Sequence, residues 1–154
     1  MPWQEQATIW VQTVRNRLRG RLVLFDYMVP STAELAQRPW REWLRTYVGQ
    51  GRGSHYLRQP GEQDITVDVC LDQLIAVVGE PDGLRSQSQF LQRWGIDNLV
   101  AEGRRIWTEQ AARPGLEAMK MRSRISEAEA LLDPAGLGSF TAVEYVGKVA
   151  HTGN

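Results

Sequence analysis

The chain has 154 residues, 42% apolar and 23% charged, with eighteen Lys and Arg balancing eighteen Asp and Glu. That is enough chain for one compact core of ordinary globular composition, and a net charge of zero gives no general field that would gather nucleic acid or an anionic membrane surface. The longest apolar runs, Leu22 to Phe25 and Leu74 to Val78, are far short of the roughly 20 residues of a membrane span, and the single Cys70 excludes an internal disulfide. The first residues, Met-Pro-Trp-Gln-Glu-Gln, carry neither the basic start nor the apolar run of a signal peptide, so a cytoplasmic protein is expected.

Ala7, Trp10, Val11, Val14 and Leu18 recur at helical spacing and predict a helix that ends at Gly20. Leu22 to Tyr27 is a continuous apolar run too short for a helix, as expected of a strand covered on both faces. Helix followed by such a strand points to an α/β fold. Ser31 to Glu34 reads as a capping box opening a short helix before Pro39. From about 39 to 61, Trp40, Trp43, Tyr47 and Tyr56 alternate with arginines and with Gly49, Gly51 and Gly53, and the segment is expected to be irregular, either a substrate wall or a structural insertion. Asp64 to Cys70 alternates polar with β-branched residues and predicts a second strand. Asp72 reads as the N-cap of a helix over Leu74 to Val78, broken by Gly79 to Gly83. Ser86 and Gln89 form another capping-box pair, for a helix burying Phe90, Leu91 and Trp94 and stopping at Gly95. Asp97 starts a helix with Leu99, Val100, Ile106 and Trp107 as core contacts, closed by Pro114-Gly115. A last helix runs from Leu116 to Leu132, strand composition returns over Ser139 to Val146, and His151 to Asn154 reads as a loose tail.

Several chemistries are unsupported by these letters. Cys70, His55 and His151 lack the spacing of a zinc site, no Gly-x-Ser-x-Gly elbow is present, and Cys70 has no local His partner. The tryptophans at 3, 10, 40, 43, 94 and 107 read as core anchors, because without a basic groove they have little to offer a nucleic acid.

Taken in order, Gly20-Arg21-Leu22-Val23-Leu24-Phe25-Asp26-Tyr27, Arg45-Thr46-Tyr47, Pro60-Gly61-Glu62-Gln63-Asp64-Ile65-Thr66, Gln89-Phe90-Leu91 with Gly95-Ile96, and Gly136-Leu137-Gly138-Ser139-Phe140 resemble the C-terminal half of the MidA family. That family comprises class I, S-adenosylmethionine-dependent methyltransferases and includes a mitochondrial relative that methylates arginine during respiratory complex I assembly. The chain departs from it at Met28, where the family usually has Gly, and at Cys70, where it often has Asp.

The resemblance implies an α/β, Rossmann-like sheet of order 3-2-1-4-5-7-6. Leu22 to Tyr27 would be strand 5, Asp64 to Cys70 strand 6, and Ser139 to Val146 the antiparallel strand 7 between them. Residues 1–150 would then be the C-terminal half of the domain, with an insertion at about 39–61. S-adenosylmethionine is the implied cofactor, yet its usual glycine turn after strand 1 and carboxylate on strand 2 have no counterpart here; Gly49 to Gly53 follows no apolar strand and reads as a flexible loop. No cofactor-binding residue is therefore assigned.

Asp26 and Tyr27 end the implied strand 5 where the pocket should lie, so Asp26 is a candidate to hold a guanidinium by a bidentate pair, against the plainer reading of a cap or surface hydrogen bond. Arg45, Thr46 and Tyr47 are candidates for the substrate wall, with simple packing as the competing role. Asp64 and Thr66 are read as turn-stabilising. Methyl transfer needs in-line positioning and no dedicated base, so no catalytic residue is assigned. The open edge of strand Leu22–Phe25 predicts association, with an N-terminal methyltransferase half or with a second copy. Two functions follow: half of an enzyme acting on protein arginine, or a non-catalytic α/β module that binds a partner through that edge. Neither nucleic acid nor a membrane is an expected partner.

Overall fold

A computed structural model describes residues 3–147; the expected tail His151–Asn154 and the expected domain end at residue 150 lie outside the described residues. The chain begins with α1 (Glu5–Arg17), β1 (Arg21–Asp26), β2 (Met28–Val29), α2 (Thr32–Gln37), α3 (Trp40–Trp43), β3 (Leu44–Val48) and β4 (Gly51–Arg52). It continues with β5 (Asp64–Val67), β6 (Val69–Cys70), α4 (Leu71–Val78), β7 (Gly83–Ser86), α5 (Gln87–Arg93), α6 (Ile96–Glu109), α7 (Leu116–Leu132), a 3-10 turn at Leu137–Ser139 and β8 (Thr141–Val146). These residues form two compact units, one of 3–22, 26–82 and 144–147, the other of 23–25 and 83–143.

In the first unit Val29, Leu35, Trp43 and Cys70 are buried together, with Trp40, Leu44 and Val67 packed against them. Full burial of one such side chain as large as Leu35 is worth about 1.5–3 kcal/mol. Ser31 caps α2 by accepting the Glu34 N–H at 3.1 Å, but the Glu34 carboxylate turns to Arg38 and leaves the capping box half made. Helix α1 lies along α4, with the Gln12 amide donating to the Val77 carbonyl at 2.7 Å and Arg15 to the Val78 carbonyl. Its buried residues are Thr8 and Val11, while Ala7 is exposed and Trp10 is 56% exposed, so the packed stripe is rotated from the one expected. The reason is α4: Gln12 and Arg15 satisfy its last carbonyls, which have no partners within the helix, and that fixes the face α1 presents. Helix α4 starts one residue before Asp72, with Cys70 as N-cap. Asp72 instead accepts from the backbone N–H and the hydroxyl of Thr32, both at 2.8 Å, and ties α2 to α4.

Asp64 to Cys70 is not the single strand expected. Strand β5 pairs antiparallel with β3, and β6 pairs parallel with β2. The partner changes at Asp68, whose N–H bonds the Trp43 carbonyl at 3.2 Å, while the next N–H, of Val69, bonds the Tyr27 carbonyl at 2.8 Å. The segment at 39–61 is likewise more ordered than expected: α3, β3 and β4 occupy its first half, and β3 and β4 form a hairpin with Tyr47 opposite Arg52.

A second sheet has the order β1-β8-β7. Asp82 N–H bonds the Glu144 carbonyl and Gln87 N–H bonds the Phe140 carbonyl, so β7 runs against β8; Gly147 N–H bonds the Gly20 carbonyl, so β1 does too. The last strand therefore lies antiparallel between two others, as the resemblance implies, but its second neighbour is Gly83–Ser86 and not Asp64–Cys70. Four residues are too few for alternation to register, and pairing with β8 imposes the strand. Strand β1 is not covered on both faces along its length: Arg21, Phe25 and Asp26, at its two ends, are exposed.

In the second unit Ser86 and Gln89 make the full reciprocal capping box of α5. Gly95, at φ +90°, takes the left-handed turn between α5 and α6. The α6–α7 contact is close at Gly103, where a Cβ would stand 3.4 Å from Ile125 Cγ1, and the Arg122 guanidinium lies 5.1 Å over the Trp107 ring. Val100, Ile106 and Trp107 are half-buried, whereas Leu99 is 73% exposed. Phe90 packs edge-on against Phe25 at 5.1 Å. Of the tryptophans expected in the core, Trp43 is buried, Trp40 and Trp107 are half-buried, and Trp3, Trp10 and Trp94 are exposed.

Candidate functional site

Four charged or aromatic side chains of the first unit meet where β1 ends. Arg45, near the start of β3, forms an ion pair with Asp68, and its guanidinium lies 5.3 Å over the Tyr27 ring. Next to Tyr27, the Asp26 carboxylate accepts the Tyr27 N–H at 2.7 Å through Oδ1. Burial pushes the Asp26 carboxyl above its ordinary value; the Tyr27 N–H works against this, the Asp68 charge adds to it, and Arg45 offsets part. No cation of the described residues is ion-paired with Asp26, because Arg45 is committed to Asp68. Asp26 thus combines an exposed carboxylate in no ion pair among the described residues, a nearby Arg45 already paired with Asp68, and the neighbouring Tyr27 under that guanidinium, a setting that suits a second, incoming cation.

The other two candidates stand elsewhere on β3. Alternation along a strand sends neighbouring side chains to opposite faces, and Thr46 is buried with its hydroxyl donating to the Ser54 carbonyl at 2.6 Å. Tyr47 lies under Arg52, 5.2 Å from ring centre to guanidinium. Arg45 is therefore brought to Asp26 and Tyr27, while Thr46 and Tyr47 are not. Asp64 and Thr66 sit on β5 opposite Tyr47 and Arg45 in the ladder.

Two residues that hold the site escaped sequence reasoning. Asp68 looked like one polar member of an alternating strand; its pairing with Arg45 spans 23 positions and leaves no local pattern. Gln4 replaces a strand neighbour with its side-chain amide, donating to the Asp68 carbonyl and accepting from Cys70 N–H, both at 2.8 Å. It thereby fixes the backbone that carries Asp68.

Beside this cluster, on the hairpin side, a cavity of about 320 Å³ is lined by Trp40, Arg41, Arg45, Arg52, Ser54 and His55, among others. The glycines here serve the hairpin. Gly49, at φ +56°, makes the turn between Val48 and Gly51, and a Cβ on Gly53 would stand 2.9 Å from Thr46 Oγ1 and 2.7 Å from Gln63 Oε1. The close approach of Gly53 is to the protein's own side chains, so this cluster does not fit the glycine cradle that S-adenosylmethionine requires.

Among the described residues no group of three or more His, Cys, Asp or Glu is arranged to hold a metal ion. Burial pushes the Cys70 thiol up, which keeps it protonated and unreactive. No described helix is long and apolar enough to cross a membrane.

Among the solved structures that match are two from Burkholderia thailandensis of the COG1565 superfamily, each 26% identical. One, an uncharacterised member, superposes with a TM-score of 0.69 over 94% of this chain and 37% of its own. The other is bound to S-adenosyl-homocysteine and superposes with a TM-score of 0.65 over 92% of this chain and 36% of its own. The chain thus spans little more than a third of the structures it matches. No curated protein matches it. A family profile described as "Putative S-adenosyl-L-methionine-dependent methyltransferase" matches residues 3–90, more than half of the chain and the part that carries Asp26, Arg45 and Asp68. The chain belongs to that S-adenosyl-L-methionine-dependent methyltransferase family.

Proposed function

We propose that this chain supplies the acceptor side of an S-adenosylmethionine-dependent methyltransferase of the MidA kind, acting on a protein arginine. The cofactor is held largely by residues that these 154 do not include. The observation that carries the reading is Asp26: a carboxylate at the end of β1, exposed, in no ion pair among the described residues, and accepting the Tyr27 N–H. Such a group can take an incoming guanidinium in a bidentate pair and fix its direction, and direction is what methyl transfer most needs. The family match and the neighbour with bound S-adenosyl-homocysteine support the cofactor class. The missing glycine cradle and the partial span of the neighbours support the division of labour.

Asp26 binds and orients in this account, Arg45 and Asp68 hold Tyr27 in place, and Gln4 keeps the Asp68 segment in register. When bound, the cofactor supplies the electrophilic methyl group; no residue of this chain is assigned to that step.

Calorimetry tests the reading, with S-adenosylmethionine titrated into this chain alone and into its mixture with the remaining portion of a Burkholderia thailandensis relative. Binding in the mixture only is expected. Binding by the chain alone would overturn the placement of the cofactor site, and no binding in either would favour a non-catalytic module. That second reading has its own observation: among the described residues β1 is the edge of its sheet, with Phe25 exposed, and such an edge can take another strand.

A further inference from the structure

The cavity beside the β3–β4 hairpin is built for a negative charge. It lies wholly within the first unit, and three arginines line it. Arg45 is neutralised by Asp68, but Arg41 and Arg52 have no carboxylate within ion-pair reach among the described residues. Each lies instead over an aromatic ring, Arg41 5.0 Å from the centre of Trp40 and Arg52 5.2 Å from that of Tyr47. An arginine held over an aromatic face is positioned without being neutralised, and its edge N–H groups stay free to donate as a fork.

The remaining polar groups agree in sign. The Ser54 carbonyl is occupied by the Thr46 hydroxyl, and Gln63 Oε1 is occupied by the Ser54 N–H. His55 Nδ1 accepts the Leu57 N–H at 3.2 Å, so the neutral ring carries its proton on Nε2 and is a donor there. Its ring is held by stacking on Tyr56 at 4.5 Å and by the edge of Trp40 at 5.0 Å. The cavity therefore offers donors and two uncompensated positive charges, while nearby acceptors are already used.

We infer that this cavity binds a carboxylate-bearing segment of a protein, a stretch of chain rich in Asp or Glu. A cavity of about 320 Å³ is larger than one carboxylate needs and matches an acidic side chain with part of its neighbours. A nucleic acid is disfavoured because the chain as a whole has zero net charge, which gives no general field to follow a phosphate backbone. The inference does not depend on methyl transfer: it concerns which proteins this surface holds. If the chain does act on a protein, acidic residues near the target would select it.

The test is fluorescence anisotropy with a labelled ten-residue peptide of alternating Asp, Glu and Gly, containing no arginine, against the same peptide with Asn and Gln. The acidic peptide is expected to bind at least tenfold more tightly, and R41Q/R52Q is expected to remove that preference. Both side chains are exposed, so an unchanged circular dichroism spectrum will show that the variant is folded. R104Q, on the second unit, is expected to leave affinity unchanged. Equal binding of the two peptides, or an unchanged preference in R41Q/R52Q, overturns the inference. So does tighter binding of a single-stranded RNA or of free glutarate than of the acidic peptide. Because the peptide lacks a methyl acceptor, its binding stands or falls separately from the acceptor role of Asp26.

Discussion

At the scale of single residues, Asp26 and Arg45 have opposite situations and should respond oppositely to substitution. The Asp26 carboxyl is raised from 3.8 by burial, so between 3.8 and its folded value the folded chain holds more proton than the unfolded one. Stability then falls as pH rises through that window. Asp26→Asn keeps an oxygen for the Tyr27 N–H but removes the charge. It should therefore be more stable than the parent at pH 7 and no more stable below 3.8, a difference that urea unfolding at the two pH values will show. Guanidinium binding needs the ionised form, so acceptor affinity should fail on acidification at a higher pH than for an ordinary carboxylate, and Asp26→Asn should abolish it. Arg45→Ala leaves the mostly buried Asp68 carboxylate without its partner, and a loss of about 3 kcal/mol is expected on unfolding. Adding Asp68→Ala should restore part of that loss, which a double-mutant cycle measures. An unchanged stability in Arg45→Ala would show that the pair does not hold the site.

At the scale of elements, the second unit offers the sharpest tests. Ser86→Ala removes one arm of the α5 capping box and should cost about 1 kcal/mol in thermal or chemical unfolding. Gly138 is under a different constraint: a Cβ there would lie 2.5 Å from the Leu132 carbonyl oxygen, a backbone atom that cannot swing aside. Gly138→Ala should accordingly cost more than Ser86→Ala, on the order of 2 kcal/mol or above. Both capping positions were legible from the letters, since Ser at the cap and Glu or Gln three residues on is a local arrangement. They differed in outcome because Gln89 returns to the Ser86 N–H, whereas Glu34 is drawn to Arg38 one turn along its own helix. A capping box is local in sequence, yet whether it closes depends on which competitor for the N3 side chain is near.

For the molecule as a whole, the edge strand is where association is expected. Among the described residues, strand β1 pairs with β8 on one edge and with no strand on the other, and Phe25 is exposed. Sedimentation at rising concentration should show self-association of the chain alone, and Val23→Lys should suppress it by placing a charge on the edge strand. Mixing with the remaining portion of a relative should also suppress it if both compete for that edge. A chain that stays monomeric at all concentrations, and does not combine with that portion, would show that the edge recruits nothing.

Elements with local signals were legible in the letters: α1, β1, α2, α5, α6, α7 and β8 follow from apolar spacing, capping pairs and glycine stops, which act within a few residues of chain. The letters also carried the family resemblance, and so Asp26 and Tyr27 as candidates. Which strand joins β8 came from the folded chain alone, because Gly83–Ser86 becomes a strand by pairing and not by composition. It alone broke Asp64–Cys70 into two strands, since backbone partners change at Asp68. It alone separated Arg45 from Thr46, which alternation turns to the other face of β3, and from Tyr47, whose ring is taken by Arg52 across the hairpin. The ion pair of Arg45 with Asp68 and the bridging amide of Gln4 join residues 23 and 64 or more positions apart. Contacts of that kind form only when the chain folds back on itself, and no window of sequence contains both partners.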